Sequence, residues 1–285
     1  MKFLIILIAL TTLVGCSVLG TKPDPGVKLT WKKVSTPVPG VPGLSIDIWE
    51  NQPGAKAELT VWYFWGLFEN KTTDQAELES RFADYPPMKM VMPAFKDNVW
   101  LFTRYPNRAA SEEPQAATLE NFDRMFKYIT DTYALPGKPI VMGHSMGGVN
   151  TATLCSTRHW LWKACVMTYP ALVNTDPWQA FPWRPARFIV QSQLPGKPNL
   201  QLAKAIWKRD NPYAMLKEAS AALPPIFIAG CSTDMFQLFE ATAAYAKQAQ
   251  AQDNQVTWLP LYKNCDHLNP PAEPVRQFVL KVSAL

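Results

Sequence analysis

The sequence predicts an α/β fold: a mostly parallel sheet with helices on both faces and one insertion over the strand ends. Three observations carry this. Apolar runs of strand length alternate with stretches whose apolar residues recur every three or four positions. The runs are almost continuously apolar, as strands covered on both faces are. One long stretch, 172–223, breaks the alternation and is rich in Trp, Pro and polar residues.

Taken in order, 28–34 and 44–50 alternate as antiparallel strands around a Pro-rich turn containing Pro37, Pro39, Pro42 and Gly43. Residues 59–65 form a buried aromatic strand ending at Gly66. A helix is expected over 74–84 and a buried strand over 99–104. Leu119, Phe122, Met125, Phe126 and Ile129 set a helix over 118–133, closed by Pro136-Gly137. A strand at 140–143, a helix at 149–158 and a strand at 163–169 follow. One helix is expected near 202–208 within the irregular stretch. The alternation resumes with a strand at 226–230, a helix at 236–250, a strand at 256–261 and a final helix from 274 onward. The expected organisation is a core of 28–171 and 224–285 with a cap or lid at 172–223.

A chain of 285 residues can bury a sizeable core, and 48% hydrophobic with 18% charged residues is a globular composition. The net charge of +5 is modest and its Lys and Arg are scattered, which argues against a nucleic-acid groove. It permits weak attraction to anionic lipid. The first 15 residues read as a targeting segment: Lys2, an apolar run over 3–10, then Leu13-Val14-Gly15-Cys16. Those four residues resemble the lipobox of bacterial lipoproteins. The resemblance implies cleavage before Cys16, acylation of Cys16 and anchorage to a bacterial envelope membrane. Ser17 after it favours the outer membrane if the source is Gram-negative. Residues 16–27 read as a flexible tether.

The most informative motif is Gly143-His144-Ser145-Met146-Gly147, set between an apolar strand and a helix of small residues. A Ser projecting from a sharp strand-to-helix turn needs small residues two positions away on either side, here Gly143 and Gly147. The helix that follows aims free N–H groups at the place where an oxyanion would form.

A Ser hydroxyl needs a base, and the base needs an acid to hold it. Of the three His, His144 lies inside the turn and reads as a packing residue. His159 reads as a solvent-facing residue at a helix end. His267 follows the last strand in a loop, at the same sheet edge as the turn. It is the expected base. The acid should follow the preceding strand, where Gly230-Cys231-Ser232-Thr233-Asp234 supplies Asp234. Asp176 and Asp266 are the rivals. The resulting order is Ser145, Asp234, His267.

From about residue 44 onward the chain resembles α/β-hydrolases of the serine type, closest in pattern to monoacylglycerol lipase and lysophospholipase-like members. The resemblance implies an oxyanion hole made by the N–H of Met146 and one from Trp65-Gly66-Leu67, with Leu67 as donor. It implies hydrolysis of carboxylic esters through an acyl-enzyme, with no metal and no organic cofactor. The expected partner is a small-molecule ester or lipid-like substrate. An acyltransferase or thioesterase on the same residues is the alternative, as is a silent lipoprotein scaffold on this fold. Two departures stand out. The family usually has His-Gly where this chain has Trp65-Gly66, and Asp234 lies one residue further past Gly230 than is usual. The aromatic run Trp62-Tyr63-Phe64-Trp65 reads equally as an acyl pocket or as core.

Four cysteines remain beyond Cys16. Cys231 ends one strand and Cys265 follows the neighbouring strand at the same edge, so a bridge between them is expected. Cys155 and Cys165 either pair or stay as buried thiols.

Overall fold

The computed structural model describes residues 32–37, 39–40, 45–50, 54–64, 98–104, 115–172, 211–219, 221–234, 238–263, 265–267 and 270–285. Eight strands form one sheet: β1 (Lys32–Pro37), β2 (Ser45–Glu50), β3 (Ala57–Phe64), β4 (Asn98–Arg104), β5 (Ile140–His144), β6 (Ala164–Thr168), β7 (Ile226–Cys231) and β8 (Val256–Leu261). Their spatial order is β1-β2-β4-β3-β5-β6-β7-β8. β1 and β2 are antiparallel, and every pairing from β4 to β8 is parallel. Antiparallel strands at one end followed by alternating strands and helices give the architecture expected from the sequence.

The helices are α1 (Gln115–Thr132), α2 (Met146–Thr157), α3 (Pro212–Glu218), α4 (Phe239–Ala251) and α5 (Ala272–Ser283). Successive side chains on a strand point to opposite faces. Trp62, Val141, Cys165, Met167, Ile226 and Ile228 therefore pack on one face with residues of α1 to α4. Tyr63, Met142, Val166, Phe227 and Ala229 pack on the other with Val275, Phe278, Val279 and Val282 of α5. No described helix is long and apolar enough to cross a membrane.

Element boundaries shift by up to four residues from those expected. Helix α2 begins at Met146 and not 149, because the turn itself supplies its start. The helix expected over 74–84 and the one near 202–208 lie outside the described residues. Most of 172–223 does too. Within its described part, α3 packs against α2 and α4, and Tyr213, Leu216 and Leu223 join the core. Asn211 caps α3 by accepting a hydrogen bond from the Ala214 N–H at 3.0 Å.

Trp62 and Tyr63 are fully buried. The Trp62 ring packs against Phe122, Phe126 and Trp162 at 5.4, 5.6 and 6.5 Å. These two residues of the aromatic run are core, because a strand in mid-sheet has no solvent-facing side. Trp65 lies outside the described residues. His159 also departs from expectation. It sits in a 3-10 turn, His159–Leu161, half-buried with its ring edge-on to Trp160 at 5.1 Å, where a solvent-facing ring was expected.

Candidate active site

Because β5, β7 and β8 run parallel, their C-terminal ends reach the same rim of the sheet. The three stretches that follow them converge there. His267 Nε2 lies 2.9 Å from Ser145 Oγ, and His267 Nδ1 lies 2.7 Å from Asp234 Oδ2. The His267 and Asp234 side chains are 4% and 2% exposed, so little water competes for this contact. Ser145 is more open, as a group that must meet a solute has to be.

Ser145 has φ 52° and ψ −118°, a backbone conformation that L-residues rarely adopt. Such a conformation costs on the order of 1–3 kcal/mol and persists only where its surroundings fix it. Three hydrogen bonds do so. The Ser145 N–H donates to the Thr168 carbonyl at 3.1 Å, and the Ser145 carbonyl accepts from Gly148 at 3.0 Å and from Ala171 at 2.8 Å. The glycines have distinct tasks. A Cβ on Gly143 would meet the Gly147 carbonyl and Thr151 Oγ1, which are themselves hydrogen-bonded at 3.1 Å. A Cβ on Gly148 would lie 2.5 Å from Pro170 Cβ. The motif pointed to Gly143 and Gly147. Gly148 counted there only as one of the small residues of the helix; its neighbour Pro170 comes from the loop after β6.

Asp234 reaches the base although it lies one residue further along than usual. Ser232 and Thr233 form a turn closed by the Asp234 N–H on the Cys231 carbonyl at 3.3 Å. The turn absorbs the additional residue. Its side chains also tie it to the neighbouring loop. Thr233 Oγ1 donates to the Cys265 carbonyl at 2.7 Å, and Ser232 Oγ donates to the Tyr262 carbonyl at 3.1 Å. Of the two rivals, Asp266 is exposed, and Asp176 lies outside the described residues.

A disulfide joins Cys231 to Cys265, with Cα atoms 5.7 Å apart. It links the loop carrying Asp234 to the loop carrying His267. A second disulfide joins Cys155 on α2 to Cys165 on β6, both fully buried. The first closes a loop with a sequence separation of 34. Chain-entropy arithmetic for such a loop gives about 4 kcal/mol. Replacing both Cys231 and Cys265 by Ser should lower the free energy of unfolding by roughly that amount in guanidinium titrations. An unchanged midpoint would mean that the bridge holds nothing.

Two further rings lie near His267: His144, expected as a packing residue, and Tyr169. His144, buried, stands 5.0 Å from the His267 ring, and Tyr169 stands 6.3 Å from it. Tyr169 also has positive φ, 46°. Burial, and next the nearby Asp234 and Asp266 carboxylates, push its hydroxyl up to about 12, so it stays neutral. Burial, and next the neighbouring His267, push His144 down to about 3.

Met146 opens α2, and a first-turn N–H has no acceptor within its own helix. The second expected donor, Leu67, with Trp65 and Gly66, lies outside the described residues, as does Cys16. Among the described residues, no group of three or more His, Cys, Asp or Glu could hold a metal ion.

Comparison with known proteins bears on the fold. No curated protein sequence is similar to the chain. Among solved structures, it is similar to Est1E from Butyrivibrio proteoclasticus at 14% identity and a TM-score of 0.56, over 89% of this chain and 99% of that one. It is similar to the S-formylglutathione hydrolase FrmB of Staphylococcus aureus at 13% identity and a TM-score of 0.59, over 91% of this chain and 98% of that one. Esterase B from Lactobacillus Rhamnosis gives 12% identity and a TM-score of 0.63, over 90% and 85% of the two chains. At such identities the likeness is one of fold. The sequence profile described as alpha/beta hydrolase fold matches residues 104–268. That span holds the end of β4, the strained turn at Ser145 and both loops that meet it, and it is more than half of the chain. The chain therefore belongs to the alpha/beta hydrolase fold family.

Proposed function

We propose that this protein is a serine hydrolase that cleaves carboxylic esters. One observation carries the reading: a strained Ser145 within 2.9 Å of an imidazole whose other nitrogen lies 2.7 Å from a buried carboxylate. In this reading Ser145 Oγ attacks the ester carbonyl carbon while His267 Nε2 takes its proton. Asp234 keeps the Nδ1 proton facing it, so that Nε2 is free to act as the base. The Met146 N–H, with Leu67 as second donor, receives the oxyanion; one such donor is worth about 3 kcal/mol. His267 then returns the proton to the leaving alcohol, which departs as the acyl-enzyme forms. Water attacks that ester by the same route in reverse and frees the acid and Ser145.

The finer parts of the proposal rest on the sequence. Resemblance to monoacylglycerol lipases and lysophospholipases favours acyl or lipid-like esters. Leu13-Val14-Gly15-Cys16 supports acylation of Cys16 and residence on a bacterial envelope membrane, the outer one if the cell is Gram-negative.

A fluorophosphonate probe tests the core of the proposal. Wild type should label and Ser145→Ala should not; an unlabelled wild type would leave a scaffold. Hydrolysis of p-nitrophenyl esters of increasing chain length tests the substrate class, and a short-chain optimum would count against lipids. For the anchor, Cys16→Ser expressed in bacteria should move from the membrane fraction to the soluble fraction.

A further inference from the structure

We infer that Thr233 is a positioning residue for the Asp234–His267 pair: its hydroxyl locks the turn that carries the acid to the loop that carries the base. The inference rests on the ester-hydrolase reading above. In that reading Asp234 orients the imidazole only while its Oδ2 stays 2.7 Å from His267 Nδ1. The two residues belong to different segments, one after β7 and one after β8. Their contact is therefore only as steady as the hold of one segment on the other.

Thr233 stands where the two segments meet. It precedes Asp234 in the chain, and Cys265 lies two residues before His267. Thr233 Oγ1 is 2.7 Å from the Cys265 carbonyl oxygen, 3.2 Å from Cys265 Sγ and 3.3 Å from Cys231 Sγ. The two sulfurs are bonded to each other and carry no proton. A carbonyl only accepts, so the hydroxyl is the donor. Its single proton goes to the carbonyl oxygen, the nearer and stronger acceptor.

The disulfide does not replace this contact. A bridge through two side chains limits the distance between Cys231 and Cys265, but rotation about its single bonds lets the turn swing. Thr233 attaches the turn to Cys265 a second time. Attachments at both Cys231 and Thr233 restrain the swing, and Asp234 is the next residue. Ser232, between them, has a different task. Its N–H donates to the Leu261 carbonyl at 2.8 Å and its Oγ to the Tyr262 carbonyl at 3.1 Å. Both bonds extend the pairing of β7 with β8 and stop short of Cys265. Thr233 is exposed and fills no space in the core. Loss of its hydroxyl therefore acts on the geometry of the pair more than on the stability of the fold.

Kinetics on a soluble p-nitrophenyl ester test the inference. A hydrogen bond of ordinary strength changes an equilibrium by roughly two- to tenfold, and small displacements of a catalytic group have larger effects on rate than on binding. Thr233→Val keeps the shape and removes the hydroxyl. It should lower kcat about fivefold with KM within about twofold of wild type. Thr233→Ser keeps the hydroxyl and should stay within about twofold of wild-type kcat. Ser232→Ala, which loses a bond of the same kind in the same turn, should do so too. Three outcomes overturn the inference: a Val variant within about twofold of wild-type kcat, a Ser variant as slow as the Val variant, or a Ser232→Ala variant as slow as the Val variant. If Thr233→Val does not unfold cooperatively, Thr233→Ala takes its place under the same criteria. Wild type and Ser145→Ala are run alongside. Should wild type neither turn over ester nor take up a fluorophosphonate, the hydrolase reading itself has failed and this inference falls with it. Activity lost in Ser145→Ala but retained in Thr233→Val rejects the inference alone.

Discussion

Ser145→Gly should abolish ester hydrolysis and leave the protein more stable than Ser145→Ala. Loss of the nucleophile in a Ser–His–Asp system lowers kcat by roughly a millionfold. The stability effect has a different origin. With φ 52° and ψ −118°, residue 145 occupies a region that penalises any Cβ by about 1–3 kcal/mol. Ala keeps that Cβ and Gly removes it. Gly also gives the unfolded chain more freedom, which costs about 0.5–1 kcal/mol. Both variants lose the hydroxyl contact with His267, so comparing the two isolates the backbone. Urea titrations should place the Gly variant about 1 kcal/mol above the Ala variant. A Gly variant less stable than the Ala variant would show that the turn is unstrained.

Acid should destabilise the protein through His144 by about 3 kcal/mol between pH 7.5 and pH 4.5. In the unfolded chain this residue titrates at its ordinary value of 6.5, and in the folded protein burial, then His267, bring it down to about 3. Above pH 6.5 neither state binds a proton at His144, so its contribution is constant. Below that, the unfolded state takes up a proton that the folded state refuses, and stability falls with every further drop in pH until about pH 3. Two pH units below 6.5 correspond to about 3 kcal/mol. Other groups titrate over the same range, so the measurement is a comparison. The wild-type midpoint should fall more steeply with acid than that of His144→Gln, by the stated difference. Parallel pH profiles for the two proteins would mean that His144 is protonated or accessible in the fold.

The sheet was legible in the sequence because its strands are buried on both faces. Val141, Val166 and Ile228 sit in almost continuously apolar runs, and such runs have few alternatives to a central parallel strand. Ser145 was legible because a strained turn restricts its neighbours, and Gly143 records that restriction in the chain itself. Asp234 and His267 followed from chain order, since parallel strands deliver their ends to one rim. The roles of Trp62 and Tyr63 were not legible. An aromatic run reads the same whether it lines a pocket or fills a core, and only the packing of Trp62 on Phe122, Phe126 and Trp162 assigns it.

What the sequence determined by itself was the class of fold, the strained serine and the set of groups able to act on it. These depend on periodicity, local sterics and order along the chain. Tertiary structure decided which face of a residue meets which partner. It paired Cys155 with Cys165, lodged Gly148 against Pro170, and brought the His144 ring to 5.0 Å from that of His267. Each of these joins segments separated by at least ten residues. Their energy comes from close approach in three dimensions, and no local pattern encodes that distance.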